Sequence, residues 1–288
     1  MRVLVIAHVF YPELWPELAG CIRNIGACDL AVTYVDEASV AQARRDFPAA
    51  RFLLCENRGY DVWPFLKAVQ SVDLGKYDLV VKLHTKRDID LPRKAEVGYT
   101  VLNGSRWRDH LLAFVKTPEA WAKAVARFAD PSVGMVADRH VVFLRRDARR
   151  EAHGGSFDAA VRELNEKWGI PAKRNGRFVG GTMFAVRAPI LARLVSHPFS
   201  AGLFGTSGGH ENETYAHVLE RMLGLVVSGL GYRVEGFDGS VAVRRFWAAV
   251  GKFFFDSRRT ERRRSIRICR ITVYLKRKDS KSMICHFD

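Results

Sequence analysis

Apolar and polar positions along the first hundred residues form short apolar runs separated by stretches with helical periodicity. The runs predict four strands, at residues 3–10, 30–35, 51–55 and 77–83. The stretches between them predict helices at residues 14–25, 38–46 and 64–72. This alternation predicts a parallel sheet with right-handed crossovers, and the uniformly apolar fourth run is typical of a strand covered on both faces.

The pattern continues less regularly through the rest of the chain. It predicts a helical stretch at 106–128, strands at 131–136 and 178–187, a helix beginning at Pro189 and a helix at 214–227. Residues 138–175 are polar and irregular apart from one helix near 157–168, and we expect a mobile loop there. Since no repeat or low-complexity linker interrupts the pattern, we expect one α/β domain over residues 1–243 and a tail over 244–288.

Composition supports a folded globular protein, because 48% of the 288 residues are apolar. The formal net charge of +15 is concentrated in the tail, which has fourteen basic side chains against four acidic ones. The body of the chain is therefore only mildly basic.

The tail begins with a segment whose apolar residues lie on one helical face. Phe246, Trp247, Val250, Phe253 and Phe254 share that face, while Arg245 and Lys252 lie on the opposite one. Such a helix can lie in the headgroup region of an anionic membrane surface, where each nearby basic residue adds about 1 kcal/mol. The alternative is an ordinary helix docked on the core, followed by a solvated basic tail.

The cysteines and the amino terminus bear on location. The five cysteines are an odd number at unrelated spacings, with no cysteine or histidine array that would hold zinc, so we expect reduced thiols. The first apolar run is too short to span a membrane and precedes no small-residue cleavage site. We expect a cytoplasmic protein, peripheral on the inner face of the cytoplasmic membrane.

Three polar segments follow predicted strands. They are residues 8–11, 56–61 and 84–87, and all are rich in hydrogen-bonding groups. Because ligands of open α/β sheets bind beyond the carboxyl ends of the strands, we expect these segments to form one pocket.

Four motifs in order resemble a known family. The motifs are Glu56-Asn57-Arg58-Gly59-Tyr60-Asp61, Lys82-Leu83-His84-Thr85-Lys86, Gly181-Thr182-Met183-Phe184 and the helix from Ala216 to Arg221. Together they are similar to rhamnan synthesis protein F and its relatives, and the resemblance covers roughly residues 3–235. The resemblance implies a GT-A-like fold with a mostly parallel central sheet flanked by helices. It also implies transfer of a deoxyhexose, typically rhamnose, from a nucleotide diphosphate sugar such as dTDP-rhamnose to a lipid-linked saccharide of bacterial surface polysaccharides such as O-antigen.

Glycosyl transfer needs a base for the acceptor hydroxyl and charge stabilisation for the departing diphosphate. The resemblance places the base at Glu211 or Glu213, before the helix at 214–227, although helix capping explains these residues equally well. Lys86, Arg87 and Arg58 are the candidate cations. His84 is a candidate base or sugar contact, or else a structural hydrogen-bonder. The full set of candidate donor-binding residues is His8, Asn57, Arg58, Gly59, Asp61, Lys82, Thr85, Lys86, Gly180, Gly181 and Thr182.

Several of these residues have an alternative structural role. Lys82 on a buried strand needs an acidic partner, either Asp61 or Glu56. Asp61 holds a nucleotide base or ribose together with Asn57, or caps the following helix. Gly180, Gly181 and Thr182 line the donor sugar or form a tight turn.

The fourth strand lacks the Asp-x-Asp that commonly binds metal in GT-A enzymes and carries His84-Thr85-Lys86 instead. Asp88 and Asp90 have the spacing but lie farther along, in a loop. No cofactor is required by the sequence, and Mg²⁺ or Mn²⁺ remains a candidate through this pair.

Two other functions remain open. An arginine-rich tail suits a nucleic-acid-binding protein, although that reading leaves the strand-end motifs unexplained and we expect no nucleic-acid partner. The other alternative hypothesis is a catalytically inactive scaffold of the same fold in a polysaccharide-assembly complex.

Overall fold

The computed structural model describes residues 1–88, 95–97, 100–102, 104–145, 162, 165–167, 169, 176–204, 215–259, 263–268, 271–276 and 284–286. The chain divides into two compact units, residues 1–239 and 240–288. Each is described by itself below.

Eleven strands lie in the described part of the first unit. They are β1 Val3–Val9, β2 Asp29–Tyr34, β3 Arg51–Leu54, β4 Leu79–His84, β5 Ala95–Val97, β6 Thr100–Leu102, β7 Val133–Ala137, β8 Val142–Leu144, β9 Arg177–Val179, β10 Phe184–Arg187 and β11 Arg233–Gly236. Seven of them form a sheet in the order β11-β7-β10-β4-β1-β2-β3. Only β10 runs antiparallel to its neighbours, so β4 and β7 run in the same direction on either side of it.

Seven α-helices are described in this unit, together with short 3₁₀ turns. They are α1 Trp15–Ile25, α2 Ala41–Asp46, α3 Val62–Gln70, α4 Gly104–Leu112, α5 Pro118–Arg127, α6 Ala188–Leu194 and α7 Tyr215–Gly229. The expected α/β class with a mostly parallel sheet flanked by helices is confirmed. The core sits along β1 and β4, in which every residue is buried.

The helix expected over 106–128 is two helices. A 3₁₀ turn at Ala113–Val115 follows α4, and α5 begins at Pro118 after Thr117, whose hydroxyl accepts a hydrogen bond from the Ala120 N–H at 3.1 Å. Proline is tolerated in the first turn of a helix but breaks one in its interior, so the chain restarts there. The predicted helical stretch is therefore helical on both sides of a break that the continuous apolar periodicity does not indicate.

The strand expected over 178–187 is also two elements. β9 pairs with β8, whereas β10 lies in the central sheet between β4 and β7. The turn between them contains Gly181 at φ +74° and Thr182 at φ +52°. Positive φ at two consecutive residues reverses the backbone, and it takes the chain from the small sheet to the large one.

The second unit begins with α8 at Val241–Phe254, which confirms the helix predicted there. Four antiparallel strands follow, in the order β12 Phe255–Arg259, β13 Arg263–Ile268, β14 Ile271–Lys276 and β15 Ile284–His286. The sequence analysis predicted no strands after this helix, whereas the structure has a four-stranded meander there. Its alternating sequence, such as Ile271-Thr272-Val273-Tyr274, fits the two-residue period of a strand. Within the described residues, no helix combines the length and the apolar character needed to cross a bilayer.

Candidate functional site

A cleft of about 430 Å³ opens at the carboxyl edge of the central sheet. It forms there because β1 and β4 are parallel neighbours with His8 opposite His84, so the segments that follow them emerge side by side. The cleft is lined by His8, Phe10, Tyr11, Asn57, Tyr60, Asp61, His84, Thr85, Lys86, Arg87 and Asp88. The three strand-end segments singled out by the sequence thus meet in one opening.

A larger depression of about 540 Å³ lies elsewhere, between α3 and α6. None of the predicted site residues lines it, and its walls include Val69, Leu74, Val195 and Phe199. We place the functional site at the smaller cleft because the charged and hydrogen-bonding side chains converge there.

Thr85 fixes the two strand ends to each other. Its hydroxyl accepts hydrogen bonds from the backbone N–H groups of Phe10 and Tyr11, at 3.0 and 2.9 Å. Its own backbone N–H donates to the His8 carbonyl at 3.0 Å. Thr85 therefore shapes the wall of the cleft as a positioning residue.

Lys82, Asp61 and Thr182 form a polar network beneath the cleft. The Lys82 ammonium donates to the Asp61 carboxylate and, at 2.7 Å, to the Thr182 hydroxyl, which donates in turn to Asp61. Lys82 is only 1% exposed, so this pairing satisfies a charge that would otherwise be very costly to bury. The prediction that Asp61 or Glu56 partners Lys82 is confirmed for Asp61, while Asp61 makes no capping bond to α3.

The charges around this network are mutually dependent. Burial by itself raises the pKa of Asp61. The positive charges of Lys82, of Lys86 and of His84 when it is protonated lower this pKa by more than burial raises it, so the pKa of the carboxyl group lies well below its usual range. Burial also lowers the pKa of Lys82, against the attraction of Asp61. A carboxylate held ionised in this way keeps the nearby lysine positive.

Two buried histidines flank the network in neutral form. Burial lowers the pKa of His8 to about 4, and its Nδ1 lies 3.0 Å from the Thr33 hydroxyl. Burial lowers the pKa of His84 well below 6.5, and the charges of Lys82 and Lys86 lower it as well. Together these effects outweigh the opposing effect of the Asp61 charge. His84 is 4% exposed, and neither of its ring nitrogens has a hydrogen-bond partner within the described residues. Such a group is poised to bond a ligand in the cleft.

The segment before α3 forms a tight turn. Gly59 and Tyr60 have φ of +61° and +54°, and a Cβ on Gly59 would lie 2.5 Å from the Phe204 ring. The Arg58 guanidinium donates to the Phe204 carbonyl at 3.1 Å and does not line the cleft. Asn57 is exposed and does line it. Arg58 and Gly59 therefore hold the turn, whereas Asn57 faces a ligand.

Glu56 in the same turn is a surface group. The Trp63 indole donates to it at 3.0 Å and Lys67 lies 3.1 Å away, and these bonds lower the pKa of Glu56 to about 2.

The turn after β9 approaches the network from the other side. The Gly181 N–H donates to the Glu220 carboxylate on α7 at 2.9 Å, and the Gly180 N–H donates to the Val141 carbonyl. Thr182 is 1% exposed and bound to Lys82 and Asp61. These three residues support the cleft from below, and none of them lines it.

The two cationic side chains that line the cleft, Arg87 and Lys86, differ in the ion pairs that they form within the described residues. Arg87 pairs with Glu13 at 2.5 Å and lies over the Tyr11 ring. Lys86 lines the cleft, and no ion pair to its ammonium is formed within the described ranges. Lys86 is thus the cation most available to an anionic ligand.

The metal candidates do not form a described site. Asp88 is bound to the Arg108 guanidinium, and Asp61 to Lys82 and Thr182. Asp90 lies outside the described residues, as do both candidate bases, Glu211 and Glu213. Asp61 and Asp88 are therefore each engaged by a cationic side chain, and the Mg²⁺ or Mn²⁺ site at Asp88 and Asp90 stays a prediction.

Sequence reasoning gave no role to four residues of the site. Phe10, Tyr11 and Tyr60 add aromatic walls, and Glu220 holds the Gly181 turn. The three aromatic residues lie within the segments 8–11 and 56–61, so their position after a strand did place them in the predicted pocket. The contact of Glu220 spans 39 residues and has no local signal.

The arrangement suits a ligand with an anionic group and a flat or ring-shaped part. Lys86 supplies a positive charge and His84 an imidazole without a hydrogen-bond partner in the described part of the chain, while the aromatic side chains supply surfaces for a ring.

Comparison with known proteins places the residues of the cleft within a family match. The profile of rhamnan synthesis protein F matches residues 1–232, which includes every residue lining the cleft. Two curated relatives are 28% identical over 249 residues; both bear the name uncharacterized protein WxcX, from Xanthomonas campestris pv. campestris strains B100 and ATCC 33913. The match covers 84% of this chain but only 33% of each relative, so the chain spans about a third of their length.

Proposed function

Because the chain belongs to the rhamnan synthesis protein F family, we propose that it acts in polysaccharide synthesis as a glycosyltransferase. The proposed reaction moves a deoxyhexose, rhamnose in the first instance, from a nucleotide diphosphate sugar to a lipid-linked saccharide of a surface polysaccharide such as O-antigen. The order of the central sheet, with one antiparallel strand among parallel ones, is consistent with a GT-A-like fold.

One observation supports this proposal most strongly. The Lys86 ammonium has no ion-pair partner and the His84 imidazole no hydrogen-bond partner among the residues that the structure describes, and both lie at the carboxyl edge of the sheet, where α/β sheets bind their ligands. A diphosphate in the cleft would place its charge against Lys86 and accept a hydrogen bond from His84.

The reaction then divides between two groups of residues. Lys86 stabilises the diphosphate as the bond to the sugar breaks, and Asn57 with the aromatic wall orients the nucleotide. A carboxylate at Glu211 or Glu213 takes the proton from the acceptor hydroxyl as the new glycosidic bond forms. Lys82, Asp61 and Thr182 keep the floor of the cleft in place.

Nucleotide binding tests the site directly. The diphosphates of thymidine, uridine and guanosine are added separately, and the thermal unfolding of the protein is measured with each. A nucleotide that binds the folded protein, at a concentration one hundred times its dissociation constant, stabilises it by about 2.7 kcal/mol. Lys86→Met should abolish the shift, whereas Lys123→Met, which removes an exposed cation of α5, should preserve it. No shift with any nucleotide would refute the cleft assignment and favour the scaffold reading.

Product formation tests the chemistry. The mass of the glycosylated product reports sugar transfer by the wild-type protein and by the variants Glu211→Gln and Glu213→Gln. The turnover number of at least one variant should fall by about 100-fold or more. Full activity in both would exclude them as the base. Addition of a chelator to the same assay tests for a metal requirement.

We also propose that α8 binds an anionic membrane surface. Phe246 and Trp247 are 61% and 64% exposed, and Phe253 and Phe254 are exposed as well, in a segment of strong positive charge. Flotation with vesicles containing phosphatidylglycerol should recover the protein, and Phe246→Ser with Trp247→Ser should abolish recovery. Leu54→Ser, at another exposed apolar residue, is the control. Retention of duplex DNA without vesicle binding would favour the nucleic-acid reading instead.

A further inference from the structure

Three side chains able to bind metal come together away from the residues that line the cleft. His110 lies in the last turn of α4, while Asp138 and His140 lie in the turn that follows β7. Their ligand atoms all lie within 4.8 Å of one another. Within the described ranges, no other group of histidine, cysteine, aspartate and glutamate side chains gathers this closely.

Asp138 is at the centre of the cluster. Its two carboxylate oxygens lie 3.2 Å from His110 Nδ1 and 2.7 Å from His140 Nδ1. The carboxyl group is buried at 4% exposure, and the His140 backbone N–H donates to it at 2.6 Å. The hydrogen bond from the Val141 N–H to the Asp138 carbonyl closes the turn, so the backbone holds both residues in place.

The spacing of these atoms resembles that of ligands around one ion. Adjacent ligands about 2.0–2.1 Å from a zinc ion are themselves about 2.9–3.3 Å apart in octahedral or tetrahedral geometry. The separations of 2.7 and 3.2 Å between Asp138 oxygens and imidazole nitrogens differ from this spacing by only tenths of an ångström, and all three ligand atoms lie within 4.8 Å of one another. The two imidazole rings already face each other with centroids 4.5 Å apart.

The cluster is also accessible and well placed. His110 and His140 are 29% and 31% exposed, so an ion can reach the buried carboxylate between them. Because β7 and β4 run in the same direction, Asp138 lies at the same carboxyl edge of the sheet as the nucleotide cleft. That edge is where sheets of this class bind their ligands.

We propose that His110, Asp138 and His140 bind one divalent transition-metal ion, with Zn²⁺ as the best match to two imidazoles and a carboxylate. Mg²⁺ and Ca²⁺ prefer oxygen ligands, so imidazole nitrogens select against them. Three protein ligands leave at least one coordination position for water or a ligand oxygen. The ion joins α4 to the turn after β7, two elements 28 residues apart in the chain.

Direct metal binding tests the proposal without reference to activity. The full chain is stripped with a chelator and titrated with Zn²⁺ in competition with a colorimetric chelator. The wild-type protein should bind one more Zn²⁺ per chain than the double variant His110→Gln/His140→Gln. Each single variant should weaken binding at this site by more than about 100-fold, because even the hydrogen-bond partners of a metal ligand are worth 10–100-fold. The cysteines are present in every variant, so the difference reports only the histidines.

Two further measurements separate a metal site from a cluster of hydrogen bonds. His197→Gln, at a histidine outside the cluster whose ring nitrogen lies 3.4 Å from the Ser196 hydroxyl, should bind Zn²⁺ as the wild type does. Co²⁺ bound to the wild-type protein should show visible absorption bands that the double variant lacks. Equal Zn²⁺ stoichiometry in the wild-type and double-variant proteins, with both folded by circular dichroism, would overturn the proposal. The nucleotide test at Lys86 is unaffected by this result, so the two proposals can fail separately.

Discussion

Lys82 shows how one residue decides the local arrangement of the site. Its ammonium is buried in a central strand, where an unpaired charge is very unfavourable. Asp61 and Thr182 reach it from two other elements, so three segments far apart in the chain are held together by one charge. The neutral His84 above them owes its low pKa to burial first and to the charges of Lys82 and Lys86 second.

Removal of the Lys82 charge tests this arrangement. Lys82→Met leaves Asp61, which is only 20% exposed, without its main counter-ion, and the free energy of unfolding should fall by about 3 kcal/mol. Denaturant unfolding monitored by circular dichroism measures the change. Lys67→Met breaks the exposed pair with Glu56 and should cost less than about 1 kcal/mol. Equal losses in both variants would contradict the importance of the buried pair.

At the scale of elements, the turn before α3 positions the cleft wall. Gly59 adopts a left-handed conformation, and Phe204 packs against the face where a side chain would stand. Tyr60 follows with a positive φ as well and lines the cleft. The turn therefore couples backbone conformation to the shape of the site.

Substitution of this glycine is expected to damage both stability and binding. Gly59→Ala introduces conformational strain and a 2.5 Å contact with Phe204, for a loss of about 3 kcal/mol. Gly20→Ala in α1 has open space around the new methyl group and should be neutral or stabilise by about 0.5–1 kcal/mol. Chemical denaturation of the two variants provides the comparison, and a Gly59→Ala protein as stable as wild type would contradict the tight turn.

Element boundaries show where local sequence is informative. The boundaries of the strands and helices in the first ninety residues differ from expectation by at most three residues, because the hydrophobic periodicity and the turn residues agree there. Pro118 divides one predicted helix, and the Gly181-Thr182 turn divides one predicted strand between two sheets. In both cases the apolar residues keep the same spacing although the chain changes direction, so the pattern alone does not show the break.

At the scale of the whole molecule, the buried histidines make stability depend on pH. The unfolded chain takes up a proton on His8 below about pH 6.5, whereas the folded protein does so only near pH 4. The unfolded state therefore binds more protons between these values, and folding stability falls as pH is lowered through this window. The lowered pKa of His84 acts in the same direction.

This dependence has a measurable size. Burial of His8 alone should reduce the free energy of unfolding by about 2 kcal/mol between pH 7 and pH 5. Denaturant unfolding at pH 5, 6 and 7 should show a smaller loss in His8→Asn than in the wild-type protein. His197→Gln serves as the control for a partly exposed histidine. Identical pH slopes in wild type and His8→Asn would show that His8 is not neutral when folded.

The sequence by itself determined the α/β class, the first strands and helices, and the three strand ends that form the cleft, because hydrophobic period and strand polarity are local properties. It also carried the resemblance to rhamnan synthesis protein F, whose profile matches residues 1–232. Only the tertiary structure decided the antiparallel placement of β10, the choice of Asp61 as partner of Lys82, and the meeting of His110 with Asp138 and His140. These contacts join residues 21 to more than 100 positions apart, and their energies depend on burial, which no local pattern specifies.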